Sequence, residues 1–211
     1  MRMKEHIASR EAAVRRGVRL QYFTITYNSL EGVISLIAGL FAGSISLIGF
    51  GFDSLIEVTS GAAVLWRLRR DRHAAHRQSM ERKALRIVGW CFLALSAYIL
   101  YDSGSALMQQ EAPGRSIPGI ILAAVSIIVM PLLAAAKRRV AAEIGSDAVK
   151  ADARQTDFCT YLSAILLCGL GLNALFGWWW ADPIAALVMT PIIAKEGIRK
   201  LGGKDCCDTC R

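Results

Sequence analysis

The chain has 211 residues, 54% of them apolar with 18 glycines besides, a mean hydropathy of +0.39 and a formal charge of +8 at pH 7. Soluble chains carry roughly 45–50% apolar residues with glycine included, so an ordinary soluble enzyme or binding domain is excluded. Between residues 23 and 66 there is no lysine or arginine, and the only carboxylates are Glu31, Asp53 and Glu57.

The first 22 residues hold Arg2, Lys4, Arg10, Arg15, Arg16 and Arg19 and lack the compact apolar run of a cleavable signal. They read as a basic cytoplasmic arm, an amphipathic helix on an anionic leaflet. At ~1.5 Å per residue the run 23–66 exceeds twice the ~30 Å hydrocarbon thickness, so it crosses twice. It breaks best at Ala42-Gly43-Ser44, giving spans at 23–42 and 45–66. Further spans follow at 87–108, 117–136 and 158–180, with a weaker one near 183–194 that crosses if Lys195 snorkels. The domain plan is therefore the arm 1–22, a six-helix membrane domain 23–201 and a cysteine-rich tail 202–211.

Charge sorts by segment. Of the 25 lysines and arginines, six lie in the arm, eight in 67–86, five in 137–154 and five after 194; Arg115 alone falls in a connector of the opposite side. The positive-inside rule places both termini and both basic loops in the cytoplasm. Trp178, Trp179 and Trp180 then stand at the outer interface, as an aromatic belt. The expected fold is an all-α polytopic membrane protein of six transmembrane helices, in the cell (inner) membrane, with the lipid bilayer as its first partner. A nucleic-acid arm is the rival reading of the basic N-terminal stretch, and beside membrane spans it is not the expected one.

Ionisable groups inside spans cost a few kcal/mol each and so mark function. They are Glu31, Asp53, Glu57 and Asp102, with Asp152 and Asp157 at the start of span five and Asp182 at the outer end of span six. No basic residue stands at membrane depth to neutralise the first three, which calls for protons or a bound cation. Asp53 and Glu57, at i and i+4, share one helix face and can reach one ion. Gln155 and Cys159 share a face of span five in the same way, and Asp152 extends it; Asp157 points elsewhere. Cys91 and Cys168 read as small buried hydrophobes. In the tail, Cys206, Cys207 and Cys210 with Asp205 and Asp208 form a candidate binding segment for a soft or borderline metal. Cys207-x-x-Cys210 supplies half of a zinc site.

Two stretches carry a family resemblance. Gly43-Ser44-Ile45-Ser46-Leu47-Ile48-Gly49-Phe50-Gly51-Phe52-Asp53-Ser54-Leu55-Ile56-Glu57 resembles the second-span signature of the cation diffusion facilitator (cation efflux) transporters. Gly177-Trp178-Trp179-Trp180-Ala181-Asp182-Pro183 is similar to the start of that family's sixth span. The resemblance implies a metal site on spans two and five, with Asp53 and Glu57 facing Gln155 and Cys159. A slip of one residue would substitute Thr156 and Thr160. Either register departs from the family's His/Asp pair, and Glu31, Asp152 and Asp157 are auxiliary metal or proton positions. The resemblance further implies a homodimer, and a short member whose cysteine tail stands where a cytoplasmic metal-sensing domain would begin.

The function so implied is a secondary transporter, not an enzyme. It would export a divalent transition metal (Zn2+ or Cd2+, with Co2+ also suited) from the cytoplasm against protons, with no permanently bound cofactor. Metal and protons compete for the same ligands, and glycines 39, 43, 49 and 51 allow close helix packing around them. The alternative is a non-transporting metal sensor or accessory metal-binding protein, which would keep the tail but has no need of intramembrane carboxylates.

Overall fold

The computed structural model describes the backbone of residues 2–69, 74–110 and 113–202, with side chains described for 11–69, 89–110 and 113–202 except 147 and 200. Within them the chain forms six α-helices: α1 Arg2–Ala42, α2 Ile45–Arg69, α3 Ala74–Gln109, α4 Ile117–Ile144, α5 Asp147–Phe176 and α6 Ala181–Leu201. Five are long and apolar enough to cross a membrane. The sixth has 21 residues, ~31 Å at ~1.5 Å per residue, but Asp182, Lys195, Glu196 and Arg199 set it apart by composition.

The helices outrun the expected spans because charged residues end an apolar run without ending a helix. The basic arm is no separate element. Nothing between Arg2 and Ala42 interrupts the backbone ladder, so arm and first span form one 41-residue helix. Its basic half packs against the bundle: Gly17 lies against Val140 and Leu68, and Arg16 pairs with Glu143 at 3.2 Å. A small apolar cluster of Val64, Val140, Ala141 and Val149 closes that end. Likewise α5 begins at Asp147 and ends at Phe176, which puts Trp178 and Trp180, stacked at 5.0 Å, in the α5–α6 connection.

The turns are built by residues suited to them. Gly43 adopts φ +62°, a left-handed conformation that glycine enters without a Cβ clash, so its role is the turn and not close packing. Gly145 and Gly177 end α4 and α5 in the same way, and Ser146 caps α5. Close packing falls instead to pairs such as Gly51, where a Cβ would meet Leu36 Cγ at 2.9 Å.

Helix α1 packs on α2 and α4, α4 on α5, and α3 on α6; α5 contacts both α2 and α6. The main apolar core, with Leu47, Phe50, Phe92, Ile99, Leu166 and Met189 in it, joins α2, α3, α5 and α6. The outward surface is also apolar: Leu40, Phe41, Tyr101, Ile128, Leu132 and Leu175 are exposed, as a lipid-facing surface requires. Cys91 and Cys168 belong to this outer surface rather than to the interior expected for them. A small, weakly polar thiol is tolerated against lipid as well as in a core.

Asp182 has a structural task. Its Oδ2 accepts the Ile45 backbone N–H at 3.0 Å, and its Oδ1 accepts from the Ser44 hydroxyl at 2.7 Å and from the Ser46 hydroxyl. A residue of α6 thereby caps α2, tying the 43–57 stretch to the 177–183 stretch and fixing the depth of Asp53. Asp182→Ala leaves three buried donors without their acceptor and should cost ~3 kcal/mol or more, read as a lowered unfolding temperature in detergent. Asp182→Asn keeps one acceptor oxygen and should fall between.

Candidate functional site

Asp53 and Glu57 are fully buried on the side of α2 that meets α5. From α5 comes a buried stripe of Asp152, Thr156, Cys159 and Ser163, one residue per turn. Cys159 Sγ stands 3.0 Å from Asp53 Oδ2 and 2.6 Å from Glu57 Oε2, and Thr156 Oγ1 donates to Glu57 Oε1 at 2.6 Å. A thiol has one proton and can donate to one carboxylate only. The second sulfur–oxygen approach is then a contact between lone pairs. A proton or a cation at the same spot relieves it.

Gln155 is buried beside this stripe, yet among the described residues neither its amide oxygen nor its amide nitrogen has a hydrogen-bond partner. Each such buried orphan costs ~1–3 kcal/mol, and persists where a ligand or water completes it. The fifth helix thus divides the two registers weighed from sequence. Cys159 of one and Thr156 of the other meet the α2 carboxylates, Gln155 is buried without bonding to them, and Thr160 bonds back to its own helix at Thr156 O, 3.3 Å away.

The auxiliary positions separate. Asp152 is buried and accepts from Gln21 Nε2 at 2.7 Å and from Ser60 Oγ at 3.4 Å. Glu31 is buried between α1, α2 and α4, accepting from Ser54 Oγ at 2.9 Å and from Ser126 Oγ, which also bonds the Tyr27 hydroxyl at 2.8 Å. Asp157 lies on the partly exposed flank of α5, paired with Arg138. Asp102 is partly buried, with the Tyr98 hydroxyl of its own helix at 3.3 Å. Cys206, Cys207 and Cys210 lie outside the described residues.

One expectation is overturned. The interior carboxylates do have a basic partner, Lys137, fully buried on α4. Its Nζ lies 2.8 Å from Asp152 Oδ2, 2.8 Å from Thr156 Oγ1 and 3.6 Å from Glu57 Oε1. The apolar run of span four ends at Ala136, so the sequence alone assigns Lys137 to the loop that follows. The signal was present: Ser126, Met130, Leu133, Lys137 and Val140 continue one buried stripe of α4 past that boundary. Lys137 thus reaches two of the buried carboxylates, Glu57 and Asp152. Among the described residues no group of three or more His, Cys, Asp and Glu side chains is arranged so that it could hold a metal ion. The donors are turned on one another.

The cation efflux transmembrane domain matches residues 23–201 of the chain. The chain belongs to this family. No curated protein gives a match. As a cation efflux protein it is a multi-pass membrane transporter that exports metal cations, and it is not an enzyme. The match takes in both resembling stretches, and with them Asp53, Glu57, the α5 stripe and Lys137.

Proposed function

We propose that this cation efflux protein exports Zn2+ or Cd2+ from the cytoplasm in exchange for protons, and that Asp53, Glu57 and Cys159 grip the ion. The observation that carries the reading is the Cys159 sulfur wedged against both α2 carboxylates in the interior. Two carboxylates and a thiolate suit a borderline divalent ion, and four-coordinate zinc needs one more donor. The orphaned amide oxygen of Gln155, one helical turn before Cys159, is the candidate. Both termini and the basic loops face the cytoplasm in this reading, and the tail cysteines Cys206, Cys207 and Cys210 collect metal there.

Thiol and carboxylates release protons as they take metal and give metal up as they are reprotonated. Raising the pH on the cytoplasmic face therefore tightens metal binding, and acid on the far side favours release. The coupling is tested in inverted membrane vesicles with an acidic lumen and external Zn2+. Uptake should be driven by the gradient and fall to background when a protonophore collapses it. Gradient-driven uptake that persists unchanged after collapse would remove proton exchange from the proposal.

A further inference from the structure

Lys137 has no place in the ion-gripping set, yet its ammonium is fully buried in the bundle. Burying a lone ammonium is prohibitively costly unless it is paired and hydrogen-bonded. Here it is paired twice and bonded to a hydroxyl, spanning α4 to α5 through Asp152 and Thr156 and α4 to α2 through Glu57. Its distance to Asp152, 2.8 Å, is a full ion pair; that to Glu57, 3.6 Å, is looser. The two contacts are unequal, and Glu57 is the one that also touches Cys159.

Resting on the proposed site, we infer that Lys137 is a tethered cation that neutralises Glu57 in the empty carrier and yields it to the incoming metal while staying anchored on Asp152. An ammonium and a divalent ion on opposite oxygens of one carboxylate repel each other strongly in a low-dielectric interior. Metal arriving at Glu57 therefore pushes the ammonium towards Asp152. The flexible four-carbon stem permits the short movement, which a rigid guanidinium fork would not follow as easily. Lys137 thus weakens the grip on metal and favours its departure, because the ammonium reclaims Glu57 as the ion leaves. The same charge keeps the empty site from holding an uncompensated carboxylate as the bundle changes conformation. Asp152, in turn, acts as the anchor of Lys137 and not as a direct ligand.

The test is Zn2+ affinity, measured by competition with a chromophoric chelator on the purified full-length protein with Cys206, Cys207 and Cys210 replaced by serine. Lys137→Gln should bind Zn2+ about tenfold more tightly or better, since a repelling charge is lost, and should transport it more slowly at saturating metal. A merely structural lysine would give weaker binding on removal, so equal or weaker affinity in Lys137→Gln overturns the inference. If that variant does not accumulate, Asp152→Asn is compared with the double variant Lys137→Gln/Asp152→Asn, in which the pair is removed as a unit. The double variant should bind more tightly than Asp152→Asn, and equal affinities overturn the inference. Failure of the site itself looks different: Asp53→Ala would then bind Zn2+ as the parent protein does, whatever the Lys137 variants show.

Discussion

Asp53→Ala should reduce Zn2+ uptake by inverted vesicles to the level of vesicles lacking the protein, while the variant inserts and accumulates normally. Asp53 is fully buried, contacts Cys159 Sγ and shares its helix face with Glu57. Truncating one partner of a buried charged contact in a binding site costs ~3 kcal/mol or more of affinity, and each ~1.4 kcal/mol is a tenfold loss. More than ~100-fold weaker metal binding follows. Asp157→Asn is the matched control. It removes a carboxylate of α5, but one on a partly exposed flank, paired with Arg138 of α4. Transport should be retained there. Equal defects in the two variants would mean that total negative charge, and not position, governs the ion.

Cys159→Ser should change which metal is moved more than whether any is moved. The substitution keeps size and a hydrogen-bond donor towards Asp53 and Glu57, but exchanges a soft, ionisable sulfur for a hard hydroxyl that stays protonated. Thiolate preference rises towards softer ions, so Cd2+ transport should fall further than Zn2+ transport, by about tenfold in the ratio. Competition of the two metals for uptake reads that ratio directly. An unchanged ratio would show that the sulfur never ligates the ion in transit.

How much of this was legible in the sequence follows from the range of the interactions. Asp53 with Glu57, at i and i+4, needs only helical periodicity, and the family stretches identified the helix. The five long spans need only composition. Asp182 was visible as an acid in a recognisable stretch, but its caps on Ser44, Ser46 and Ile45 join positions more than 130 residues apart, and only folding brings them together. Lys137 was lost for a subtler reason. The first charge after an apolar run marks a span end in sequence, yet a charged residue ends a span only if it reaches water. Lys137 instead meets Asp152 and Glu57 inside the bundle, a pairing that depends on how α4 packs on α5 and α5 on α2. The same shortcut cut the arm from α1, although no backbone break separates them. The fifth-helix register was ambiguous because Thr156 and Cys159 lie three residues apart, and two pairs at i and i+4 cannot both be centred on one facing helix. In the bundle one residue from each, Cys159 and Thr156, meets the α2 carboxylates.

The most direct measurement is X-ray absorption at the zinc edge on metal-loaded protein whose Cys206, Cys207 and Cys210 are serine. A single sulfur at about 2.3 Å among oxygen or nitrogen ligands is expected, and it should vanish when Cys159→Ser is added. A zinc shell of oxygen and nitrogen only, the same with and without Cys159 in a protein that still transports zinc, would contradict the placement of the ion between Asp53, Glu57 and Cys159.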